Sequence, residues 1–232
     1  MGNTIRQWRS IAVILLMMSL QTAAAASRYP SPMKRILVLG DSLSQGFGLK
    51  SSEAWPWLMA EKLRADGLNN FEITNASQSG GTSAGGLQRL PAHLKRKIDI
   101  FILELGINDA FRGVPISEIR NNLQAIIDSV KTRDPNVRMI IAGMQLPNYE
   151  SDDYVFAFGQ IYADLAAKNN ATLIPYLLES VGGDPSLNQP DRFHPNAAGQ
   201  KILAENVWRV LEPIAREVAA GRGTSAGSPS NR

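Results

Sequence analysis

The 232-residue chain contains no cysteine and only two histidines, His93 and His194. Without cysteine there can be no disulfide bridge, no thiolate nucleophile, no cysteine-ligated zinc or iron–sulfur centre, and no lipid carried on a cysteine. Chemistry that needs an imidazole has two positions available to it. The hydrophobic fraction of 44% excludes an intrinsically disordered chain, and the length is sufficient for one domain with a substantial core.

Long apolar runs are also scarce, and the most pronounced one lies near the amino terminus. Arg6 and Arg9 precede the apolar run 11–20, which is soon followed by four alanines at 23–26. This order is typical of a secretory signal peptide. A single transmembrane anchor is the alternative, but a spanning helix needs about 20 apolar residues. We therefore expect residues 1–26 to be a cleaved signal peptide, the protein to be periplasmic or secreted, and no stable membrane anchor to remain after cleavage.

The excess of basic residues nearly disappears once this leader is set aside. The full chain has 24 basic and 21 acidic residues, which gives a formal charge of +3. Arg6 and Arg9 lie in the leader, which holds no acidic residue, so the mature chain keeps 22 basic and 21 acidic residues and a charge of +1. The densest basic run, 95–97, is typical of a solvated helix end. We therefore expect no nucleic-acid partner.

The chain does have a series of short apolar runs separated by glycine, asparagine and proline. Five of these runs are candidate strands: 35–40, 71–76, 99–106, 138–144 and 171–176. Their near-continuous hydrophobicity is typical of strands buried on both faces of a parallel sheet. Helical patterns alternate with them, so the sequence predicts an α/β fold: a flavodoxin-like three-layer α/β/α domain with a five-stranded parallel sheet. We expect this domain to span 27–216 and the small, polar segment 217–232 to be a disordered tail.

The helices between the strands are predicted from the spacing of apolar residues. One contains Trp57 and stops at Gly67, one spans 154–169, and the last starts near Asn196. Ser117 is the predicted N-cap of a further helix. The apolar positions of that helix share one face: Ile119, Leu123, Ile126, Ile127 and Val130. The predicted helices would cover both faces of the sheet.

Polar residues with catalytic potential follow the ends of the predicted strands. Asp41 and Ser42 come after the first strand, Gly80 lies in the loop after the second, Asn108 follows the third, and the segment 191–194 comes after the fifth. Ligands bind at the carboxyl ends of strands in open α/β sheets, so we expect these residues to meet at one edge. Each motif alone is more typical of a turn or a helix cap than of a catalytic site. Their order and placement together favour a joint site.

The residue types at these positions fit nucleophilic acyl transfer. The Ser42 hydroxyl is a weak nucleophile that needs a base, and His194 can act as one because an imidazole titrates near neutral pH. Asp191, three residues earlier, can orient that imidazole. Attack on an acyl carbonyl forms an oxyanion, which the backbone N–H groups of Ser42 and Gly80 and the Asn108 amide could bind. We therefore predict a Ser42-His194-Asp191 triad with an oxyanion hole.

These blocks resemble a known family. Gly40-Asp41-Ser42-Leu43, Gly80, Gly106-Ile107-Asn108-Asp109 and Asp191-Arg192-Phe193-His194 resemble the four blocks of the SGNH (GDSL) hydrolases. The resemblance is closest to the bacterial branch of multifunctional thioesterase, lysophospholipase L1 and arylesterase, and it covers residues 35–215. It implies that Ser42 is the nucleophile, His194 the base and Asp191 the residue that orients it. It also implies an oxyanion hole formed by Ser42, Gly80 and Asn108, in agreement with the assignment from the residues themselves.

The resemblance is weakest where it concerns the substrate. Close thioesterase relatives carry an acidic residue directly after the oxyanion glycine, where this chain has Gly81, and the segment 148–158 also differs. In the relatives that segment covers the acyl group. Leu146, Phe156 and Phe158 could line an acyl groove or could equally belong to the core. The candidate substrate-binding residues are Asp41, Leu43, Leu146, Pro147 and Phe193.

The function that we expect is hydrolysis of carboxylic esters by a secreted serine enzyme of the arylesterase, lysophospholipase or acyl thioesterase type. The reaction would pass through an acyl-enzyme on Ser42 and would use a small-molecule or lipid acyl ester, without a cofactor or a metal. One alternative is a polysaccharide O-acetyl esterase, for which Trp55 and Trp57 are weak candidates as a sugar platform. A non-enzymatic alternative is a binding module with an inactive triad. His93 has no comparable partners, and we expect it on the surface of a helix.

Overall fold

The structure, a computed structural model, describes residues 32–146 and 152–221. The predicted signal peptide, Pro147 and residues 222–232 of the predicted tail lie outside the described residues. Within the part that is described, no helix combines the length and the hydrophobicity needed to span a bilayer.

One parallel sheet forms the centre of the fold. Its strands are β1 (Lys34–Leu39), β2 (Phe71–Asn75), β3 (Ile100–Leu103), β4 (Arg138–Ala142) and β5 (Thr172–Ile174). Their order across the sheet is β2-β1-β3-β4-β5, and each neighbouring pair is parallel. The predicted five-stranded parallel sheet is confirmed, and this strand order is that of flavodoxin-like folds.

Burial differs between the central strands and the edge. β1, β3 and β4 are buried along almost their whole length, and in the register of the sheet Ile36 lies opposite Ile100 and Ile102 opposite Ile140. Among the described strands β2 pairs with β1 alone, at one edge of the sheet, and it stays partly accessible along its length. The near-continuous apolar pattern therefore describes the three central strands, whereas Phe71 and Ile73 of β2 alternate with polar residues.

Helices lie on the connections between the strands. They are α1 (Ser42–Gln45), α2 (Trp55–Ala65), α3 (Ser83–Arg89), α4 (Ile107–Phe111), α5 (Ile116–Arg133), α6 (Asp152–Asn169) and α7 (Ala197–Ala219). Two short 3-10 turns occupy Ser51–Glu53 and Leu90–Ala92. α2 packs against α7, and α5 packs against both α3 and α6. The helices thus form two groups that cover the sheet.

Helix α5 shows which part of the helical prediction holds. The five apolar positions predicted to share a face are all buried: Ile119, Leu123, Ile126, Ile127 and Val130. Ser117 is not the N-cap, because the helix begins at Ile116 and Pro115 occupies the cap position with φ −56° and ψ 138°. Proline is favourable at this boundary since it has no N–H to satisfy and its φ is already fixed near the helical value.

Helix α7 begins directly after Asn196, near which a helix was predicted to start, and it is capped by that residue. The Asn196 side chain accepts hydrogen bonds from the backbone N–H groups of Ala198 and Gly199, at 2.9 and 3.1 Å. The helix then runs to Ala219, so it extends three residues beyond the domain boundary placed at 216. Val218 and Ala219 still pack against the core, which explains why the helix does not stop earlier.

Candidate active site

The predicted site residues come together at the carboxyl edge of the sheet. Ser42 opens α1 directly after β1 and its connecting residues, Asn108 lies in α4 after β3, and Gly80 lies in the loop between β2 and α3. Asp191 and His194 lie in the segment between β5 and α7. Residues that are distant in the chain are neighbours here because parallel strands all end at the same edge.

Ser42, His194 and Asp191 form a continuous hydrogen-bonded line. His194 Nε2 lies 3.0 Å from Ser42 Oγ, and His194 Nδ1 lies 2.7 Å from Asp191 Oδ2. Asp191 Oδ1 accepts two more hydrogen bonds, from the backbone N–H groups of Phe193 (2.9 Å) and His194 (3.0 Å). Burial opposes ionisation of Asp191, but the hydrogen bonds from the ring and backbone of His194 and from Phe193 lower its pKa to about 2.

The loop that carries the histidine is fixed by its own backbone. Arg192 adopts the left-handed conformation with φ +59°, which lets the loop turn back on itself. The Gln189 N–H donates to the His194 carbonyl at 2.7 Å, and Asn188 forms a bridge with Pro195. The Asn196 cap of α7 follows immediately. The imidazole is therefore held on a closed turn at the start of a long helix.

The turn that presents Ser42 is organised by the preceding residue. Asp41 has no exposed surface, and its carboxylate accepts hydrogen bonds from the Leu43 N–H (3.0 Å) and from Asn108 Nδ2 (3.0 Å). Leu43 is also fully buried. Neither residue offers surface to a ligand, which disagrees with the prediction that Asp41 and Leu43 contact the substrate. Asp41 instead caps α1 and orients the Asn108 amide.

The three groups predicted to bind the oxyanion are the backbone N–H groups of Ser42 and Gly80 and the Asn108 amide. The backbone N–H groups of Ser42 and Gly80 have no protein acceptor among the described residues. Gly80 adopts a left-handed conformation with φ +70°, and its carbonyl accepts a hydrogen bond from Arg112 Nη2 at 3.0 Å. Asn108 Nδ2 also contacts the Gly81 carbonyl at 3.2 Å, in addition to the Asp41 carboxylate. The amide is therefore held in one orientation by two acceptors.

A model of the GDSL-like Lipase/Acylhydrolase family matches residues 38–202, a range that includes all of these residues. The chain belongs to this family. The SGNH (GDSL) resemblance seen in the sequence is thereby confirmed.

Curated relatives of the chain cover most of its length. It is 39% identical over 180 residues to the esterase TesA of Pseudomonas aeruginosa, covering 77% of this chain and 88% of that protein. It is 33% identical over 213 residues to thioesterase 1/protease 1/lysophospholipase L1 of Escherichia coli K12, covering 91% and 96%. It is 35% identical over 199 residues to an arylesterase of Vibrio mimicus, covering 85% and 95%. These are the types of relative that the sequence motifs predicted.

The fold is likewise that of a solved family member. A crystal structure of TesA superposes with a TM-score of 0.73 at 38% identity and covers 78% of this chain and 99% of that one. The five-stranded parallel sheet with its helices is therefore the family's architecture.

Sequence reasoning gave no role to the buried polar residues that support the GDSL motif. Glu104, directly after β3, has no exposed surface, and its Oε2 accepts hydrogen bonds from the Asp41 N–H (3.0 Å) and the Ser44 hydroxyl (2.6 Å). Arg89 donates to the carbonyls of Gly40 (2.7 Å) and Ala76 (3.2 Å), and so joins the ends of β1 and β2. The sequence offered two signals: Glu104 is an acidic residue inside an apolar run, and both Glu104 and Arg89 lie in segments that resemble the family.

The last residue of the Gly106–Asp109 motif supports the loop between β2 and α3. Asp109 accepts hydrogen bonds from the Ser83 hydroxyl (2.6 Å) and the Ser83 N–H (2.8 Å), and Asn122 of α5 donates to the same hydroxyl. These bonds tie α4 to the start of α3. Asn108 and Gly80 are thereby held on linked elements.

Two aromatic rings lie beside the histidine, and a third continues the row. The Phe47 ring lies 4.6 Å from the His194 ring between centroids, Phe193 lies 5.1 Å from it, and Phe111 lies 5.1 Å from Phe193. Phe47 and Phe111 are 46% and 42% exposed, so part of this row is open to solvent. Phe193, predicted to contact the substrate, lies in this row beside the imidazole. Phe47 and Phe111 were not predicted as site residues, because neither belongs to one of the sequence motifs.

The other proposed acyl-groove residues are divided between core and surface. Leu146 and Phe158 are buried, and Phe158 packs its ring against Tyr162. Phe156 is 70% exposed. Leu146 and Phe158 therefore belong to the core, which was the second interpretation that the sequence allowed. Pro147 lies outside the described residues.

His93, the second histidine of the chain, lies outside the proposed triad. His93 follows the 3-10 turn Leu90–Ala92 and is partly buried, so it is not the helix-surface residue that was expected. Burial lowers its pKa, and the charges of Arg35 and Arg89 lower it further. In the described ranges, no three histidine, aspartate or glutamate side chains are grouped closely enough to hold a metal ion.

Proposed function

We propose that the chain is an exported serine carboxylic-ester hydrolase that works through an acyl-enzyme on Ser42. The observation that carries the proposal is the line from Ser42 Oγ through the His194 ring to Asp191, with distances of 3.0 and 2.7 Å. A serine is activated when a base lies within hydrogen-bond distance of its hydroxyl and a carboxylate orients that base. Export rests on the predicted signal peptide at residues 1–26.

Acylation begins with attack of Ser42 Oγ on the ester carbonyl carbon. The Oγ–C bond forms, the hydroxyl proton passes to His194 Nε2, and the carbonyl electron pair moves onto oxygen. The tetrahedral intermediate then collapses, and its bond to the leaving oxygen or sulfur breaks. His194 Nε2 returns the proton to that leaving group, which departs as an alcohol or a thiol and leaves the acyl group on Ser42.

Deacylation repeats these steps with water as the nucleophile. His194 Nε2 takes a proton from water as the oxygen attacks the acyl carbon, and it then returns the proton to Ser42 Oγ as the acyl–serine bond breaks. Asp191 stabilises the imidazolium formed in both halves. Its pKa of about 2 keeps it ionised at any pH at which the imidazole works.

The oxyanion would be bound by the Ser42 N–H, the Gly80 N–H and the Asn108 amide. The two backbone donors have no other acceptor among the described residues. The Asn108 amide bears two protons, and its bond to the charged Asp41 carboxylate is shorter than its bond to the Gly81 carbonyl, 3.0 against 3.2 Å. We expect an oxyanion to compete with Gly81, the weaker acceptor, and to leave the Asp41 bond in place.

The expected substrates are acyl esters with an apolar part. Phe47, Phe193 and Phe111 form a partly exposed row of rings beside the imidazole, and apolar surface next to a catalytic group favours apolar ligands. Acyl-CoA is an intracellular metabolite, so an exported enzyme would meet lysophospholipids, aryl esters or short acyl esters instead. The relatives named above are an esterase, a thioesterase/lysophospholipase and an arylesterase.

The two rival hypotheses receive less support. Trp55 is fully buried and cannot serve as a sugar platform, and Trp57 lies half-exposed on α2 rather than beside His194. A binding module with an inactive triad would need a missing or displaced catalytic group, whereas the three side chains of the triad are within hydrogen-bond distance.

A serine-directed organophosphonate tests the proposal directly. We expect stoichiometric labelling of Ser42, mapped by peptide mass spectrometry, together with hydrolysis of p-nitrophenyl esters. Ser42→Ala and His194→Ala should abolish both, and His93→Ala, which alters the other histidine, should leave both unchanged. Ester hydrolysis that survives in Ser42→Ala would refute the acyl-enzyme mechanism. A panel of acyl lengths, a lysophospholipid and an acyl-CoA would then define the substrate class.

A further inference from the structure

Glu104 is a buried carboxyl that the catalytic steps do not use. Only Oε2 is engaged, by the Asp41 N–H and the Ser44 hydroxyl, and Oε1 has no hydrogen-bond partner among the described residues. A buried ionised carboxylate is strongly unfavourable unless it is paired and fully hydrogen-bonded. Its position directly behind the nucleophile turn therefore requires an explanation.

Glu104 is one of two carboxyls buried side by side. Asp41 is also fully buried, and in the described part of the chain neither carboxyl has a cation within salt-bridge distance. The Arg89 guanidinium attracts both carboxyls but places its hydrogen bonds on the carbonyls of Gly40 and Ala76. Two such neighbouring carboxyls do not both ionise, since like charges in a shared low-dielectric site repel.

The hydrogen bonds decide which of the two is charged. Asp41 accepts two N–H donors, from Leu43 and Asn108, and such donors stabilise the ionised form. Glu104 Oε1 accepts no hydrogen bond from the described residues, so it can carry the proton, and the neighbouring Asp41 carboxylate is the group to which a protonated Glu104 would donate. The directions of the pKa shifts agree: burial raises the pKa of Asp41 to about 6, whereas burial and then the Asp41 charge raise the pKa of Glu104 well above its ordinary value.

We propose that Glu104 is a positioning residue which, as a neutral carboxyl, fixes the Asp41 backbone and the Ser44 hydroxyl. The Asp41 carboxylate can then hold the Asn108 amide and the first turn of α1 in the geometry that the reaction needs. This role rests on the function proposed above. Gly40 supports it independently, because a Cβ there would overlap Glu104 Oε2 and come within 2.7 Å of Ser44 Oγ. The glycine of the GDSL motif thus leaves room for the carboxyl.

Two substitutions separate position from charge. Glu104→Gln keeps a side-chain oxygen to accept both hydrogen bonds and is neutral at every pH, so we expect most of the wild-type kcat to remain. Glu104→Ala removes the acceptor, and misplacement of the nucleophile and the Asn108 amide should lower kcat by about 10- to 100-fold. KM should change little. Leu63→Ala in α2, also a buried truncation, is the control for lost stability and should retain kcat.

A double-mutant cycle tests the route through Asn108. If Glu104 acts through Asp41 on the Asn108 amide, Glu104→Ala should lower kcat much less in an Asn108→Ala background than in the wild type. A general loosening of the core would instead lower kcat by the same factor in both backgrounds, and that outcome would overturn the proposed route.

Difference infrared spectroscopy of wild type against Glu104→Gln gives a readout that does not depend on hydrolysis. The wild type should show a protonated-carboxyl band at neutral pH that the variant lacks, and absence of that band refutes the neutral state. A folded Glu104→Gln enzyme as inactive as Glu104→Ala, or a fully active Glu104→Ala enzyme, refutes the role. If Glu104→Ala fails to fold, the activity of Glu104→Gln and the presence or absence of the infrared band still test the proposal. Failure of the proposed function would appear separately, as activity that persists in Ser42→Ala.

Discussion

Replacing Asn108 with alanine tests the two tasks that the structure gives to its amide. Loss of one oxyanion donor raises the barrier by about 2.7–4 kcal/mol, which lowers kcat by about 100- to 1,000-fold. The change also removes a 3.0 Å hydrogen bond from Asp41 Oδ2, a fully buried acceptor, and such a loss lowers the free energy of unfolding by about 1–3 kcal/mol. KM should change little, because the oxyanion develops only toward the transition state.

Initial rates with a p-nitrophenyl ester give kcat and KM, and urea unfolding of the same preparations gives the free energy of unfolding. Asn206→Ala in α7 is the matched control, since its buried amide donates to the carbonyls of Leu177 and Glu179, each at 2.9 Å, and none of these residues belongs to the proposed site. We expect it to lose stability and to retain kcat. A folded Asn108→Ala protein whose kcat stays within about tenfold of wild type would refute this reasoning.

Three other contacts can be tested by single substitutions. Phe47→Ala removes the ring at 4.6 Å from His194 and should lower kcat about 2- to 10-fold in steady-state assays, as expected for one aromatic pair; an unchanged kcat would show that the ring does not support the imidazole. Gly40→Ala should lower the free energy of unfolding, measured in urea, by about 1–3 kcal/mol, because the added Cβ would overlap Glu104. Gly159→Ala is the control: it lies on α6 with open space around it and should raise the free energy of unfolding by about 0.5–1 kcal/mol. Equal effects of the two substitutions would contradict the packing argument. The folded pKa of Asp191, about 2, lies below the ordinary 3.8, so its ionisation stabilises the fold above pH 3.8 and this contribution is lost as the pH falls toward 2. The Tm difference between wild type and Asp191→Asn should therefore shrink over that range, and a constant difference would count against the shift.

The sheet was predictable because its central strands are buried on both faces. Short apolar runs bounded by glycine or asparagine are typical of such strands. The positions of β1, β3 and β4 could therefore be predicted from hydrophobicity alone. Helix boundaries were less predictable. Ser117 matched the residue preference for an N-cap, yet Pro115 fixes the boundary two residues earlier through its ring geometry.

The site was predictable in its catalytic residues but not in its supporting ones. Strand ends converge by topology, so Ser42, Asn108 and His194 could be placed together without knowing any side-chain direction. Whether a neighbour points into the cleft or into the core depends on local geometry. Asp41 and Leu43 are adjacent to the nucleophile in sequence and are fully buried in space. The role of Glu104 could not be predicted, because its partners, Asp41 and Ser44, lie about 60 residues away along the chain.

The GDSL motif therefore combines folding and chemistry in four consecutive positions. Gly40 makes room for Glu104, Asp41 caps α1 and orients Asn108, Ser42 carries the hydroxyl, and Leu43 fills the core beneath them. Because the Asp41 carboxylate accepts both the Leu43 N–H and the Asn108 amide, one group sets the direction of the serine helix and of the proposed oxyanion donor at once. A change at Asp41 cannot affect one without the other. This shared anchor is a physical reason for the motif to consist of adjacent residues, whereas the histidine and its aspartate, which need only reach the serine, lie on a separate loop.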